Sequence, residues 1–290
     1  MRRRNAVFVL LGIVLAALVF SLYGSVALLT TTTLTVPAPV GEPLRVVQLS
    51  DLHNARFGRD NDTLVEAVRS AAPDLILCTG DLFNADEQDT STVSALLGRL
   101  TDIAPVYCSL GNHEEQWGSN FGADPAAVYR DAGAVLLEQE FVDLEVRGCA
   151  LRIGGLYGYA CPPDRGQEWG SQPWYDGECR FLQEFCNTDR TTLLLCHMPV
   201  AWLDYGSLDS WDVDVVFAGH AHGGQVRLPL VGGLYAPDQG WFPGREAGLY
   251  TSADGLHTLV LSRGLGSSGM RLPRLNNFPE LVTVDLVPRA

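Results

Sequence analysis

The 290-residue chain contains no Cys-x-x-Cys pair. A zinc knuckle or ribbon is built on such closely spaced thiolates, so that class of site is excluded. Basic clusters are missing beyond the first few residues, and the net charge is −14. A protein that tracks a nucleic-acid backbone needs a positive footprint, so no nucleic-acid scaffold binding is expected. The same acidic surface is compatible with a site that gathers cations. No internal repeat and no low-complexity block beyond a few threonines occurs. The seven cysteines do not organise the chain. Cys78, Cys108 and Cys196 lie inside apolar runs and read as small buried hydrophobes. Cys149, Cys161, Cys179 and Cys186 fall in a less regular stretch, where one disulfide stays open.

Charge is also absent from Ala6 to Leu29. That run exceeds the roughly 20 residues a helix needs to cross hydrocarbon. Arg2, Arg3 and Arg4 precede it, which predicts a cytoplasmic N-terminus and the remainder of the chain outside. The apolar run continues past Ser25-Val26-Ala27, a weak cleavage-site match, so an uncleaved single-pass anchor in the cell membrane is expected rather than a signal peptide. The twin arginines raise another export route, but their surroundings fit it poorly. Residues 1–29 are therefore read as a basic head and transmembrane helix. Residues 30–43, Thr-rich and then carrying Pro37, Pro39 and Pro43, read as an extended, poorly packing tether. Residues 44–290 read as one compact domain.

Within that domain the patterns are regular. Strands are predicted at 45–50, 74–79 and 105–110, with helices at 62–70, 90–100 and 125–132 around and between them. Asp62 is the expected cap of the first helix. Strand and helix alternating at this spacing indicates crossover units and a largely parallel sheet. A hairpin is expected over 141–154, a helix over 178–185, and further strands at 191–196, 213–218, 257–262 and 281–287. The economical arrangement is two packed sheets covered by helices, an α/β fold.

Ligand-type residues follow directly on an apolar strand in five places. These are Asp51 and His53; Asp81; Asn112 and His113; His197; and His220 and His222. Five of the six histidines fall there. Functional groups gather at the carboxyl ends of strands in α/β sheets, so one shared site is the natural explanation. Mixed carboxylate, imidazole and amide ligands suit manganese, iron or zinc. The set is too large for one ion. Two ions roughly 3.5–4 Å apart could share a carboxylate and clamp a phosphoryl group.

Asp-x-His, Gly-Asp, Gly-Asn-His-Glu, His and Gly-His-x-His, in this order, resemble the calcineurin-like metallophosphoesterase superfamily. Gly219 to Pro229, Gly248-Leu249-Tyr250 and Ser262-Arg263-Gly264-Leu265-Gly266 resemble its membrane-associated bacterial branch. The resemblance implies a four-layer α-β-β-α sandwich of two mixed sheets flanked by helices. It implies a first metal held by Asp51, His53 and His222, a second by Asn112, His197 and His220, and Asp81 bridging both. His113 would face the substrate, stabilising phosphoryl oxygens or protonating the leaving group. The implied reaction is phosphoester hydrolysis by a hydroxide bridging the metals, on a monoester or diester. With the anchor close by, the substrate could be amphiphilic, lipid-linked or part of the cell envelope. The alternative is a non-catalytic, metal-dependent module that binds envelope phosphate ligands; the intact His113 argues against it.

Many relatives carry an acid where this chain has Asn84, at the position that orients the catalytic histidine. Glu114, next to His113, is the available substitute. Asn54 and Arg263 are candidates for substrate contact. His257 matches no ligand block and reads as structural. Aromatics from Tyr157 to Tyr175, including Trp169 and Trp174, and the loop Trp241-Phe242-Pro243 could line an amphiphilic site or touch headgroups.

Overall fold

The computed structural model describes residues 2–163, 173–267 and 272–289. Helix α1 (Arg2–Ala27) is followed by β1 (Thr30–Ala38) and β2 (Leu44–Leu49). Then come α2 (Asp62–Ala71), β3 (Leu75–Thr79), α3 (Ser91–Thr101) and β4 (Val106–Ser109). Helices α4 (Asn112–Phe121) and α5 (Pro125–Asp131) lead to β5 (Val135–Leu136), the hairpin β6 (Glu140–Val146) and β7 (Cys149–Leu156), and a helix at Pro173–Cys186. Strands β8 (Thr191–Cys196) and β9 (Val215–Ala218) precede two small hairpins, β10 (Arg227–Leu228) with β11 (Gly232–Gly233) and β12 (Tyr235–Ala236) with β13 (Gly240–Trp241). The chain closes with β14 (Gly248–Thr251), β15 (Thr258–Leu261) and β16 (Glu280–Pro288).

Two six-stranded mixed sheets result, ordered β1-β16-β2-β3-β4-β5 and β14-β15-β9-β8-β7-β6. Alternation within single strands builds the layers. In β2, Val46 faces Leu193, Leu195, Val215 and Phe217 of the other sheet, while Val47 and Leu49 face outward onto α2 and α3. Helix α2 presents Leu64, Val65 and Val68, and α3 presents Val93, Leu96, Leu97 and Leu100. On the far side, Phe181, Leu182 and Phe185 cover the outer face of the second sheet. The four-layer α-β-β-α sandwich is present.

One local expectation changes. Asp62 is the first residue of α2 rather than its cap; Asn61 precedes it and turns its amide oxygen to the Phe57 N–H. Helix α4 was hidden because its polar sequence carries no apolar stripe. No disulfide is formed among the described residues, so the pairing left open for the middle four cysteines is not made there. Trp169 lies outside the described residues.

The expected tether is a strand. Residues 30–38 pair in parallel with β16 over their whole length, from Thr30 opposite Glu280 to Ala38 opposite Pro288. Its alternation, Thr31, Thr33 and Thr35 outward and Leu34, Val36 and Ala38 inward, buries one face against the inter-sheet core. Pro37 is tolerated because β1 is an edge. Composition suggested a loose segment; tertiary pairing overrides it. Removing residues 1–43 should therefore destabilise the domain by about 3 kcal/mol or more relative to a chain starting at Leu29, from lost apolar burial alone. Equal denaturation midpoints for the two truncations would contradict this role.

Candidate metal centre

The five ligand-bearing segments lie at the carboxyl ends of β2, β3, β4, β8 and β9, so both sheets contribute to one cluster. Three groups of ligand atoms converge within 4.8 Å: Asp51, His53 and His222; His53, Asp81 and His113; Asp81, His197 and His220. Asn112 opens α4 beside them, its buried Oδ1 without a hydrogen-bond partner.

Asp81 sits at the centre. Its Oδ1 accepts the His113 N–H at 2.8 Å. Its Oδ2 lies 3.3 Å from His197 Nε2 and 3.8 Å from His53 Nε2. Asp51 is held similarly: Ser50 Oγ donates to Oδ2 at 2.6 Å and the His220 N–H donates to Oδ1 at 3.0 Å. His222 Nε2 lies 3.6 Å from Asp51 Oδ1.

The imidazoles are oriented from behind. His197 Nδ1 is 2.6 Å from the Thr79 carbonyl, so Nδ1 carries a proton and Nε2 is the atom turned to Asp81, where a cation could replace its proton. His53 Nδ1 meets Asn84 Oδ1 at 3.1 Å, while the Asn84 amide donates to the His53 carbonyl and to Glu87. Both Nε2 atoms are buried with no hydrogen-bond partner. His220 points Nε2 at Asp238, 3.2 Å away, which frees its Nδ1. Partnering one ring nitrogen and exposing the lone pair of the other is the arrangement a metal-binding histidine requires.

Electrostatics point the same way. Burial opposes charge on His53 and lowers its pKa to about 3. Burial also opposes charge on His197, but Asp81 outweighs it and raises the pKa to about 10. Burial alone would raise the Asp81 pKa; the surrounding imidazoles, His197 foremost, hold it well below the usual range instead. A carboxylate buried among imidazoles calls for positive charge, and a divalent cation supplies it with lone pairs already aimed. The donors are oxygen and nitrogen, as hard and borderline cations prefer.

Two second-layer expectations are revised. Asn84 serves His53, and His113 Nδ1 instead accepts the Ala85 backbone N–H at 3.1 Å. Glu114 does not compensate at His113. It is fully buried and accepts the N–H groups of Gly111, Asp81 and Leu82, tying the β3 and β4 loops together. Burial and the neighbouring Asp81 charge push its pKa up to about 7. Gly111 is required there because a Cβ would collide with the Asp81 carboxylate.

Asn54 and Arg263 each hold an acidic partner. The Asn54 amide donates to Glu87, and Arg263 pairs with Glu280 at 2.9 Å. His257 Nδ1 rests on the Val213 carbonyl, away from the centre. Asp238 escaped sequence reasoning: within Pro237-Asp238-Gln239 nothing distinguishes it from an ordinary turn residue.

A family model described as calcineurin-like phosphoesterase matches residues 44–224. Phosphodiesterase YaeI of Escherichia coli is 28% identical over 84% of this chain and 83% of its own length. The uncharacterized metallophosphoesterase YkuE of Bacillus subtilis is 28% identical over 83% of this chain and 78% of its own. A Bos taurus transmembrane protein with metallophosphoesterase domain is 27% identical over 69% of this chain and 45% of its own.

Replacing Glu114 by Ala orphans three buried donors, each worth about 1–3 kcal/mol. The variant should unfold at markedly lower denaturant and bind less divalent metal by elemental analysis. Asp238→Ala should weaken divalent-metal affinity about 10–100-fold in a chelator competition, with Asp238→Asn, which keeps an acceptor, closer to wild type.

Proposed function

We propose, from the premise that this chain belongs to the calcineurin-like phosphoesterase family and is a metal-dependent phosphoesterase, that it hydrolyses phosphoesters with two divalent ions sharing Asp81. The reading is carried by one observation: Asp81 commits Oδ1 to a backbone N–H and turns Oδ2 toward ligands on both sides. Asp51, His53 and His222 would hold one ion; Asn112, His197 and His220 the other. Manganese, iron and zinc all suit this donor set. When bound, such a pair neutralises phosphoryl charge and lowers the pKa of the attacking water.

His113 is half-buried and stands edge-on to His53, ring centroids 4.5 Å apart. With Nδ1 accepting the Ala85 N–H, the neutral ring carries its proton on Nε2. That favours a fixed hydrogen-bond donor to phosphoryl oxygens over a proton donor to the leaving group, since a doubly protonated ring would have to give up the Ala85 bond.

The apolar stretch Val7–Ala27 is long enough to cross a membrane. With the three arginines before it, it supports reading the enzyme as a single-pass membrane protein, N-terminus cytoplasmic and catalytic domain outside. The transmembrane relative in Bos taurus supports that reading. A lipid-linked or envelope phosphoester is the substrate class that position favours, and the E. coli relative's name makes a diester the first to try.

The test is hydrolysis of aryl phosphate mono- and diesters with manganese added or chelated. Asp81→Asn should lose on the order of 10³-fold or more of turnover. His113→Ala should lose about 10²–10³-fold while keeping its metal. That loss should be similar for good and poor leaving groups; a loss growing with leaving-group pKa would assign His113 as the general acid. Binding of phosphate esters without any turnover would favour the binding-module alternative.

A further inference from the structure

The last turns of α1 dock on the domain. The Asn276 N–H donates to Ser21 Oγ at 2.8 Å, the Asn277 N–H donates to Ser25 Oγ at 3.1 Å, and Phe278 packs on Phe20 at 6.3 Å. Ser21 lies six residues before the end of the Val7–Ala27 span, about 9 Å down the helix axis. The loop at 276–278 therefore sits beside the outer part of the span and not above it.

The same loop carries the β10–β11 hairpin. The Arg227 N–H donates to the Leu275 carbonyl at 2.9 Å, and the Asn276 amide donates to the Arg227 carbonyl at 3.3 Å. At the hairpin tip Leu230 is fully exposed and Val231 is 61% exposed. The adjoining β12–β13 hairpin is joined through Leu234, whose carbonyl accepts the Phe242 N–H; there Trp241 and Phe242 are exposed as well. Its turn, at the other end from Trp241 and Phe242, carries Asp238, against His220 of the metal centre. Chain direction agrees: Thr30, just after α1, pairs with Glu280 at the end of the first sheet where β2 runs into Asp51.

We propose that the tip of the β10–β11 hairpin and the open end of the β12–β13 hairpin, Trp241-Phe242, are seated in the outer interface of the bilayer that α1 crosses, so that the metal centre works against a lipid surface. The inference rests on the membrane-anchored reading of α1. Exposed apolar side chains beside a membrane span have an occupant at hand, and Trp and Phe suit the headgroup boundary. A chain of net charge −14 gains nothing from anionic headgroups, so the seating is apolar and insensitive to salt.

The full chain, reconstituted in phosphatidylcholine–phosphatidylglycerol vesicles, tests this with an environment-sensitive fluorophore on introduced cysteines and, as quenchers, shallow spin-labelled lipid for the hairpin positions and deep spin-labelled lipid for α1. The unsubstituted chain gives the background of its own thiols. Labels at Leu230→Cys, Val231→Cys and Phe242→Cys should emit blue-shifted and be quenched in low and high salt alike. A label at Leu256→Cys, in the exposed turn before β15 at the opposite end of the sheets, should emit as in water. Water-like, unquenched emission from all three hairpin positions, with Val14→Cys in α1 quenched, overturns the seating and leaves the anchor standing. An unquenched Val14→Cys label overturns the anchor and the seating together.

Discussion

The carboxylate of Asp81, buried between two sheets with imidazoles on either side, is the constraint around which the rest is arranged. It projects from the end of β3, in the sheet that also supplies Asp51, His53 and Asn112, yet it faces His197 from the other sheet. A carboxylate there is unfavourable by burial alone. It becomes favourable only if positive charge is close and its remaining lone pairs are met. His113 meets one with a backbone N–H, Glu114 fixes the loop by taking the Asp81 N–H, and the imidazoles leave room for cations on the other. Two carboxylates, Asp81 and Glu114, are thus buried near one another with opposite tasks. One is exposed to the cluster; the other is spent on backbone donors.

Holding that geometry requires strained backbone. Asp51, His53, Asp81, His220 and His222 all have positive φ, between 47° and 66°. For residues with a side chain, that conformation is unfavourable by roughly 1–2 kcal/mol each. Such strain persists only where the surroundings over-determine it. Here they do. Gln48 bridges Thr79 and the Ala218 carbonyl across the two sheets, His197 bonds Thr79, and the His220 N–H bonds Asp51. Arg274, wholly buried, donates to the carbonyls of Arg263, Gly264, Gly266 and Asn277 and fixes the loops behind the cluster. The Gln48–Ala218, His197–Thr79 and His220–Asp51 bonds join segments of the two sheets and would be lost if the sheets slid by a residue, so site and register stand together.

The legible part of the site was the part written in strand ends. An apolar run followed at once by Asp, Asn or His is a local signal, and five such signals gave the residues that the fold brings into one cluster. What stayed hidden depends on distant partners. Glu114 was visible beside His113, but its work on Gly111 and Leu82 follows from how α4 begins, and no apolar stripe announced that helix. Asn84 was read against a family pattern and assigned to the wrong histidine; the distances give it to His53. Asp238 sits in a turn whose residues look ordinary until the hairpin folds over His220. The strand at 30–38 was masked by prolines and threonines that an edge position tolerates and a central one would not.

That edge strand also fixes where the centre can be. Only Leu28 and Leu29 separate α1 from β1. A flexible tether of the length expected, 30–43, would let the domain roam about 20 Å or more from α1. A strand paired residue for residue with β16 cannot. Because β16 runs antiparallel to β2, the anchored end of β1 is the end where the ligands lie. Asn277 closes the connection: its backbone N–H bonds Ser25 of α1 while its side chain bonds the His222 and Gln225 carbonyls. Helix α1 is therefore two hydrogen bonds from a residue of the cluster. Its position relative to the cluster is set by packed, hydrogen-bonded structure and not by the reach of a linker.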